Sequence, residues 1–375
     1  MKMLYKKKLA LAKALKCISI CMGVLCVSSC NQTESIGTTI LLTEENMPRL
    51  DTLYLEKIDL NETILDAYSF VHKNLIISIN SSHPNPYFLT VTNLSGEIIA
   101  EYYKKGKGPE EFIGVVTQLH NNQLLIYDPS AKKIVRMDID SIASLKYDYH
   151  PKISTISTSI NRGYAFTNET SITAYNIGYL AGMTTDPTIP EYIHIDVKTG
   201  ICDSIVMDPR FFAGGVTGGQ LVYSSKENIY MMAFTRRPQI DMLDKNLNKI
   251  KTYVGPEEND VEFELIDEWG NLREKGGKLS FFFESSTISE NNIFFINSRT
   301  YKVAKPDYRK NEAQYYVDYQ EIWRFNSKGD FINRYKVPNT YGRLFAPSYC
   351  EETKTLYVNG YDEDGELCLY KCSLK

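Results

Sequence analysis

The sequence predicts an all-β, six-bladed β-propeller in which a strand near the N-terminus completes the last blade. Three observations lead to this prediction. Aromatic residues are abundant, with 27 Tyr, 16 Phe and 2 Trp among 375 residues. Short runs with strand character recur between Asn, Asp, Gly, Ser or Pro residues. One arrangement of strands and turns also returns six times along the chain.

Each copy of the repeat begins with a polar turn and an apolar strand, followed by a loop and further strands. The leading strands of the six copies start near Leu75, Leu124, Ile172, Ile229, Ile293 and Leu356, so successive copies lie 48 to 64 residues apart. This spacing fits a four-stranded blade with its loops. Because one small sheet cannot bury both faces alone, we expect six such sheets to pack in a ring.

The sixth copy reaches the C-terminus before its outermost strand. Residues 52–58 (TLYLEKI) alternate between apolar and polar side chains, as a half-buried strand does. We expect this segment to complete the last blade, which would remove two exposed strand edges and join the two ends of the domain.

The N-terminus has the pattern of a secretory signal. Residues 1–16 contain six lysines and no acid, an apolar run covers residues 17–27, and Val27-Ser28-Ser29-Cys30 follows. An ordinary signal peptide with an incidental Cys30 is one interpretation. The other, which we favour, is a bacterial lipobox, with cleavage before Cys30 and acylation of that residue.

The predicted organisation is therefore a lipoprotein signal peptide at 1–29, a tether at 30–45 and the propeller at 46–375. Lipidated Cys30 makes the membrane a predicted partner. Asn31, rather than Asp, follows the cysteine, which fits an outer-membrane lipoprotein on either the periplasmic side or the cell surface.

The charge of the mature chain argues against nucleic acid as a partner. Six of the 42 basic residues leave with the signal, so 36 basic residues face 46 acidic ones, a net charge of −10. An acidic surface repels the phosphate backbone.

Motifs for metals, cofactors and catalysis are missing from the sequence. Its five histidines show no HxH or HExxH spacing, and there is no CxxC and no GxSxG. We therefore predict neither metal nor cofactor and assign no catalytic residue. Four cysteines remain beyond Cys30, namely Cys202, Cys350, Cys368 and Cys372. Buried free thiols are favoured, and a disulfide from Cys350 to Cys368 or Cys372 stays open.

Residues 103–112 read YKKGKGPEEF. A phosphate-binding loop would need GxxxxGK[ST] at the start of a helix, and here strand-like residues follow. The segment is better explained as a crossing between the first two blades, where glycine permits unusual backbone angles and proline ends a strand.

A GxGPxEF segment after the first blade of an exported lipoprotein resembles the TolB-like, six-bladed β-propeller lipoproteins of Bacteroidetes. The segment DPSAKKIVRMDI at 128–139 and the turns SGE, KTG and SKGD fit the same pattern. The resemblance implies a propeller fold and a binding role, and it brings no catalytic residues. Glu110 stands where this family often has glycine, and the fourth and fifth units carry long insertions.

Ligands of propellers usually meet the face made by the crossings between blades and the loops between second and third strands. We call this the crossing face. The candidate ligand-binding residues that the sequence places there are Lys105, Lys107, Arg210, Phe211, Arg236, Arg237, Arg299, Tyr301 and Arg343. Arginine and aromatic side chains suit a sugar, a peptide or an acidic group. Singly, each is explained as an ordinary loop residue, but as a group we expect some to line a pocket.

Two insertions could modify this face. Residues 256–277 are the one stretch with helical character. They form either a lid over the pocket or a packing insertion. Residues 301–319 are a tyrosine-rich loop, either solvated or a partner surface.

These observations predict a lipid-anchored envelope propeller that acts as a binding or scaffold module for a protein, peptide or glycan. The alternative is a carbohydrate-active hydrolase or lyase that uses acids on the crossing face. The absence of catalytic motifs favours the binding module.

Overall fold

The computed structural model describes residues 37–58, 69–80, 85–120, 122–128, 130–155, 164–166, 171–175, 190–196, 202–206, 219–235, 237–256, 263–265, 272–274, 278–303, 314–338, 341–362 and 365–374. The part of the chain from Thr38 to Lys375 is one compact unit.

The strands are grouped into small antiparallel sheets in chain order. Blade I consists of β4 (Phe70–His72), β5 (Leu75–Ile79), β6 (Tyr87–Asn93) and β7 (Ile98–Lys104). Blade II consists of β8 (Val116–His120), β9 (Gln123–Asp128), β10 (Lys133–Asp138) and β11 (Ile153–Thr155). Blade III consists of β16 (Gly219–Ser224), β17 (Ile229–Phe234), β18 (Gln239–Leu243) and β19 (Lys249–Val254).

Blade IV consists of the long strands β22 (Lys278–Ile288), β23 (Asn292–Val303) and β24 (Gln314–Asn326), followed by β25 (Phe331–Val337). Blade V consists of β26 (Phe345–Cys350), β27 (Thr355–Tyr361) and β28 (Leu367–Ser373), with an N-terminal strand added at its edge. A further sheet contains β12 (Tyr164–Phe166), β13 (Ser171–Tyr175), β14 (Pro190–Asp196) and β15 (Cys202–Val206), and β12 lies beside β16.

The prediction of six blades is wrong, because five blades form the ring. Apolar clusters of the described side chains join blade I to blade II, blade III to blade IV, blade IV to blade V, and blade V to blade I. The third sequence repeat forms the sheet β12–β15, which is described through its backbone. The spacing of repeats predicts how many sheets form, but it does not determine how many of them close into the ring.

The N-terminal segment forms three short strands, β1 (Thr38–Leu41), β2 (Leu50–Thr52) and β3 (Glu56–Lys57). We call residues 38–58 the strap. β1 pairs in parallel with β19, β2 pairs in parallel with β25, and β3 pairs antiparallel with β28. The strap therefore adds an outer strand to each of blades III, IV and V.

The segment expected to complete the last blade is divided between two blades. Glu56 and Lys57 pair with Lys371 and Tyr370 of blade V, whereas Thr52 pairs with Lys336 of blade IV. Between them, Leu53 and Leu55 are buried in the cluster that joins these blades. Each such side chain contributes about 1.5–3 kcal/mol when fully buried.

Aromatic residues fill the seams between blades, which explains their abundance. In the seam of blades III and IV, the Phe283 ring meets Trp323 edge-on with centroids 5.3 Å apart, and Phe325 stacks on Phe331 at 4.8 Å. Flat rings with these offset or edge contacts pack efficiently between sheet faces.

One five-residue turn recurs in four blades. The side chains of Asn93, Asp244, Asn326 and Asp362 accept hydrogen bonds from the backbone amides of Glu97, Asn248, Asp330 and Glu366, at 2.9–3.0 Å. The fourth residue of each turn has positive φ, and it is glycine in three copies and Leu247 in the other. These turns explain why Asn, Asp and Gly punctuate the repeats.

Both predicted insertions differ from expectation. In the segment predicted to be helical, Phe263–Leu265 (β20) pairs with Leu272–Glu274 (β21) as a hairpin. In the predicted tyrosine-rich loop, β23 and β24 pair as far as Val303 and Gln314, so blade IV extends beyond its neighbours. The apolar positions that suggested a helix are too few to exclude a short hairpin.

The described α-helix, α1 (Ile139–Leu145), follows β10, and the Asp138 side chain caps it by accepting from Ser141 N at 2.7 Å. A 3-10 turn at Lys146–Asp148 follows. Within the described ranges, no helix is both long and apolar enough to cross a bilayer.

Candidate functional site

Residues 103–112 form the crossing between blades I and II, as predicted. Phe112 is fully buried, and its backbone pairs with Lys105 and with Gly106, whose N–H donates to Phe112 O at 2.8 Å. The Glu111 carboxylate accepts from Gly108 N at 2.8 Å. The backbone N–H of Gly108 is thus already bonded to a carboxylate of the chain itself. This supports a structural role for the glycine-rich loop.

Lys133 holds this crossing in place from blade II. Its Nζ donates to Gly108 O at 2.6 Å and to Glu111 O at 2.7 Å, and it lies 5.6 Å from the centre of the Phe112 ring. An ammonium group that bonds two carbonyls above an aromatic face stabilises one loop conformation.

The predicted site residues are only partly within the described structure. Lys105 is half-buried with its Nζ 5.5 Å from the centre of the Phe88 ring, and Lys107 is exposed. Arg237 is buried, with its guanidinium 4.2 Å from the Phe234 ring.

Arg210, Phe211 and Arg236 lie outside the described residues, as does Cys30. Arg299 and Tyr301 are described through their backbone in β23. Because successive strands of a meander alternate in direction, the crossings and the loops between second and third strands lie at one end of the blades. Lys105, Lys107, Arg237 and Arg343 therefore belong to the same face, although the described contacts do not join them to one another.

Glu284, which the sequence pattern did not single out, is the ion-pair partner of Arg343. Glu284 lies in β22, the inner strand of blade IV, and its side chain is 6% exposed, whereas that of Arg343 is 36% exposed. Strand pairing is irregular on both sides of Phe283, next to Glu284. The sequence pattern that could have indicated Glu284 is an acidic residue directly after three phenylalanines in a strand.

Arg343 lies in a crossing that blade IV fixes. Leu344 N donates to Gln320 Oε1 at 2.6 Å, and Gln320 Nε2 donates to Gly342 O. Gln320 is fully buried. One amide side chain thus binds both neighbours of Arg343 and sets the position of its guanidinium against Glu284.

Three buried asparagines lie four or five residues after the start of the second strands of blades IV, V and I. They are Asn297, Asn359 and Asn80, and we call them the amide row. Asn359 Nδ2 donates to Ser69 O at 2.7 Å and to Ala346 O at 3.2 Å. Asn80 Nδ2 donates to Tyr87 O and to Thr90 Oγ1.

Each amide of the row keeps an uncommitted oxygen. Among the described residues, no hydrogen-bond partner reaches Oδ1 of Asn80, Asn297 or Asn359, and none reaches Glu284 Oε1. Because the amide nitrogens of Asn80 and Asn359 donate to acceptors, their oxygens are correctly assigned. These oxygens are therefore buried acceptors for which the described residues supply no donor.

Other chemically active groups have structural surroundings. Cys350, Cys368 and Cys372 are free and buried, and burial raises the pKa of the Cys372 thiol to about 12. Burial lowers the pKa of His72. In the described part of the chain, no three His, Cys, Asp or Glu side chains are arranged to hold a metal ion.

The fold is similar to that of two solved bacterial structures. A member of the DUF4221 family from Bacteroides vulgatus matches with a TM-score of 0.58 and 13% identity, over 88% of this chain and 98% of that chain. A Bacteroides fragilis protein described as a candidate exported protein matches with a TM-score of 0.53 and 12% identity, over 90% of this chain and 100% of that chain. No protein-family model and no curated protein matches. At this low identity the similarity shows the fold, and the chain is an all-β protein with a β-propeller fold.

Proposed function

We propose that the protein is a lipid-anchored binding module of the cell envelope, which holds a protein, peptide or glycan at its crossing face. The observation that carries this proposal is the Glu284–Arg343 ion pair, with a nearly buried carboxylate and a partly exposed guanidinium. It lies at the seam between blades IV and V, beside the apolar cluster that joins these blades.

A buried ion pair is a poor way to stabilise such a seam. Removing two charges from water costs several kcal/mol per ion, and apolar residues of similar volume often stabilise a protein as well or better. A charged pair that is open to solvent on one side is more readily explained by recognition, since the exposed edge of the guanidinium can donate to a ligand. This reasoning supports a binding role.

The anchor is proposed from the sequence. Acylation of Cys30 would attach the propeller to a membrane, and several acyl chains on one residue hold firmly. Assignment to the outer membrane, and to the TolB-like lipoproteins in particular, rests on the lipobox pattern and on the GxGPxEF segment. The fold shared with Bacteroides proteins is consistent with this origin.

Binding without turnover is favoured over hydrolysis by the partner of Glu284. Glycoside hydrolases use two carboxyl groups on either side of the scissile bond. Among the described contacts, Glu284 meets the guanidinium of Arg343 and no second carboxyl group.

The test is a binding measurement on the mature protein with a panel of oligosaccharides and peptides, while product release is followed. We expect at least one panel member to bind without turnover and Glu284→Gln to weaken that binding at least about tenfold, since a charge-assisted hydrogen bond is lost. Glu290→Gln is the matched control, because this exposed residue lies at the opposite end of the same strand pair. Absence of any binding, or release of product, would overturn the proposal.

A further inference from the structure

We propose that the face opposite the crossing face docks onto the lipid bilayer that holds the anchor, through Ile250 and Ile332 of blades III and IV. The crossing face then points away from the membrane, towards ligands in the solvent. This inference rests on the lipid anchor of the proposed function, and it adds a membrane-contact surface and an orientation. Its basis is the place where the strap enters the propeller and the two exposed isoleucines beside that place.

The direction of β1 shows at which face the chain enters the propeller. The fourth strand of a blade runs towards the crossing face, because the crossing to the next blade follows it. β1 lies parallel to β19, the fourth strand of blade III, and Thr38 pairs with Lys251 near the start of β19. The strap therefore begins at the end of the blade opposite the crossing face. We call the face at this end of the blades the anchor face.

Chain length keeps this entry point near an acylated Cys30. Seven residues separate Cys30 from Thr38. A fully extended chain spans at most about 3.6 Å per residue, so the two residues are at most about 29 Å apart. Because acyl chains on Cys30 would lie in the bilayer, the tether brings the anchor face of blade III to the lipid surface at a high effective concentration.

Two isoleucines lie at irregular positions in the strands of the anchor face. In blade III the register shifts between Met242 and Leu243, which makes Ile250 an extra residue of β19. The corresponding shift in blade IV makes Ile332 an extra residue of β25. A bulged residue leaves the ladder of backbone pairs, and its side chain is re-aimed. Both isoleucines are 37% exposed, and each follows the recurring turn of its blade by two residues.

A contact between the two blades places these isoleucines in one neighbourhood with the start of the strap. Lys251 follows Ile250 in the chain and is the residue with which Thr38 pairs. Its Nζ donates to Asp330 Oδ1 at 3.2 Å. Asp330 belongs to the turn of blade IV and lies two residues before Ile332. The entry of the strap and both bulges therefore meet at the seam of blades III and IV.

A bilayer fits this surface better than a second protein does. Two partly exposed isoleucines offer far less area than the roughly 1,200–2,000 Å² that a stable protein interface buries. A membrane held by the tether needs only a shallow contact, in which apolar side chains enter the boundary between headgroups and acyl chains. Exposed lysines at Lys245 and Lys328 lie in the adjoining turns, where their stems can follow the apolar surface and their ammonium groups can stay at the headgroups.

Lysine labelling of the acylated protein on vesicles tests the orientation. The protein is attached to the outer leaflet of vesicles of phosphatidylcholine and phosphatidylglycerol and treated with a membrane-impermeant amine reagent, and each lysine is quantified by mass spectrometry. The non-acylated mature chain in solution is the reference. Lys245 and Lys328 should lose most of their labelling on vesicles. Lys107, which is also exposed but lies on the crossing face, should be labelled as in the reference.

Substitution of the isoleucines tests the contact itself. Ile250→Ser combined with Ile332→Ser should restore the labelling of Lys245 and Lys328, while the acyl chains keep the protein on the vesicles. The matched control is Ile113→Ser, because Ile113 is 48% exposed and follows the crossing between blades I and II. This control should keep the wild-type pattern of labelling, and the melting temperatures of all variants verify that they are folded.

The remaining outcomes separate this inference from the proposed function. Equal labelling of Lys245, Lys328 and Lys107 on vesicles and in solution would overturn the inference, as would protection of Lys107 alone; an acylated Cys30 would then still support the anchor. Continued protection in the double serine variant would show that the isoleucines are not the contact. If Cys30 carries no acyl chain, the anchor and the inference fail together, and the binding panel alone decides the role of the crossing face.

Discussion

Arg334 joins the strap to blade IV. It is 4% exposed in β25, and its Nε donates to Pro48 O at 2.9 Å. Its guanidinium also pairs with Glu44 of the strap and lies 3.9 Å from Glu321 Oε1. The perturbation we consider is Arg334→Met, which keeps the length of the side chain and removes its charge.

The expected loss of stability comes mainly from Glu321. Its side chain is 12% exposed, and one of its oxygens accepts from Trp323 Nε1 at 2.9 Å. Without Arg334 this carboxylate is buried and unpaired, which typically costs about 3–5 kcal/mol. The Glu44 pair adds little, because Glu44 is 75% exposed and solvent screens it.

A temperature shift follows from the length of the folded unit. Unfolding entropy of about 2.1 cal/mol/K per residue gives roughly 0.7 kcal/mol/K for a unit of this size, so the melting temperature should fall by about 4–7 °C. The assay is calorimetry at pH 7, combined with hydrogen exchange of the strap, whose amides at Leu50–Thr52 should exchange faster in the variant.

The pH dependence gives a second readout. Burial already raises the pKa of Glu321, while the Trp323 hydrogen bond and Arg334 lower it, so removing Arg334 raises that pKa further. A raised carboxyl pKa means that the folded state binds protons more strongly than the unfolded state. The stability difference between variant and wild type should therefore shrink as the pH falls from 7 towards the ordinary glutamate value of 4.5.

A double variant tests the cause. Arg334→Met with Glu321→Gln removes both charges and keeps an acceptor for the Trp323 indole, so it should recover most of the lost stability. The reasoning would be refuted if the double variant is less stable than Arg334→Met alone, or if the deficit is the same at every pH.

Three further predictions concern other parts of the chain. Lys133→Met should lower the free energy of unfolding by about 1–3 kcal/mol, because two carbonyls of the crossing lose their donor. Lys152→Met, at an exposed position, is the control and should leave it unchanged. Equal melting curves for Lys133→Met and the wild type would contradict this prediction. Cys372 should resist iodoacetamide in the native protein at pH 8 and react in urea, since burial raises the pKa of its thiol to about 12; mass spectrometry of the labelled peptide decides. Cys30→Ser should move the expressed protein from the membrane to the soluble fraction, and unchanged fractionation would exclude the lipid anchor.

The repeats and their turns could be predicted from the sequence because their signals are local. Alternating side chains mark the strands, and an Asn or Asp four residues before a polar residue marks the recurring turn, as in Asn93–Glu97 and Asn326–Asp330. The crossing at 103–112 was also predictable, since glycine and proline restrict the backbone where they stand.

The blade count and the strap were beyond such signals. A count of repeats gave six, whereas the ring has five blades. The spacing of repeats along the chain does not determine how one sheet packs on the next. β1 and β2 carry few apolar residues, and their parallel pairing with β19 and β25 joins segments more than 200 residues apart. Strand addition at an edge depends on which backbone groups are left open, and only the folded ring determines that.

The sequence by itself determined the all-β class, the strand-rich repeats, the crossing loop and a chemically plausible list of arginines. Only the tertiary structure decided that Arg343 meets Glu284. Arg343 and Glu284 are 59 positions apart and touch because neighbouring blades bring a crossing against an inner strand. Periodicity and turn chemistry act over a few residues, whereas an ion pair, an amide row and a strap arise from contacts that form only when the ring assembles.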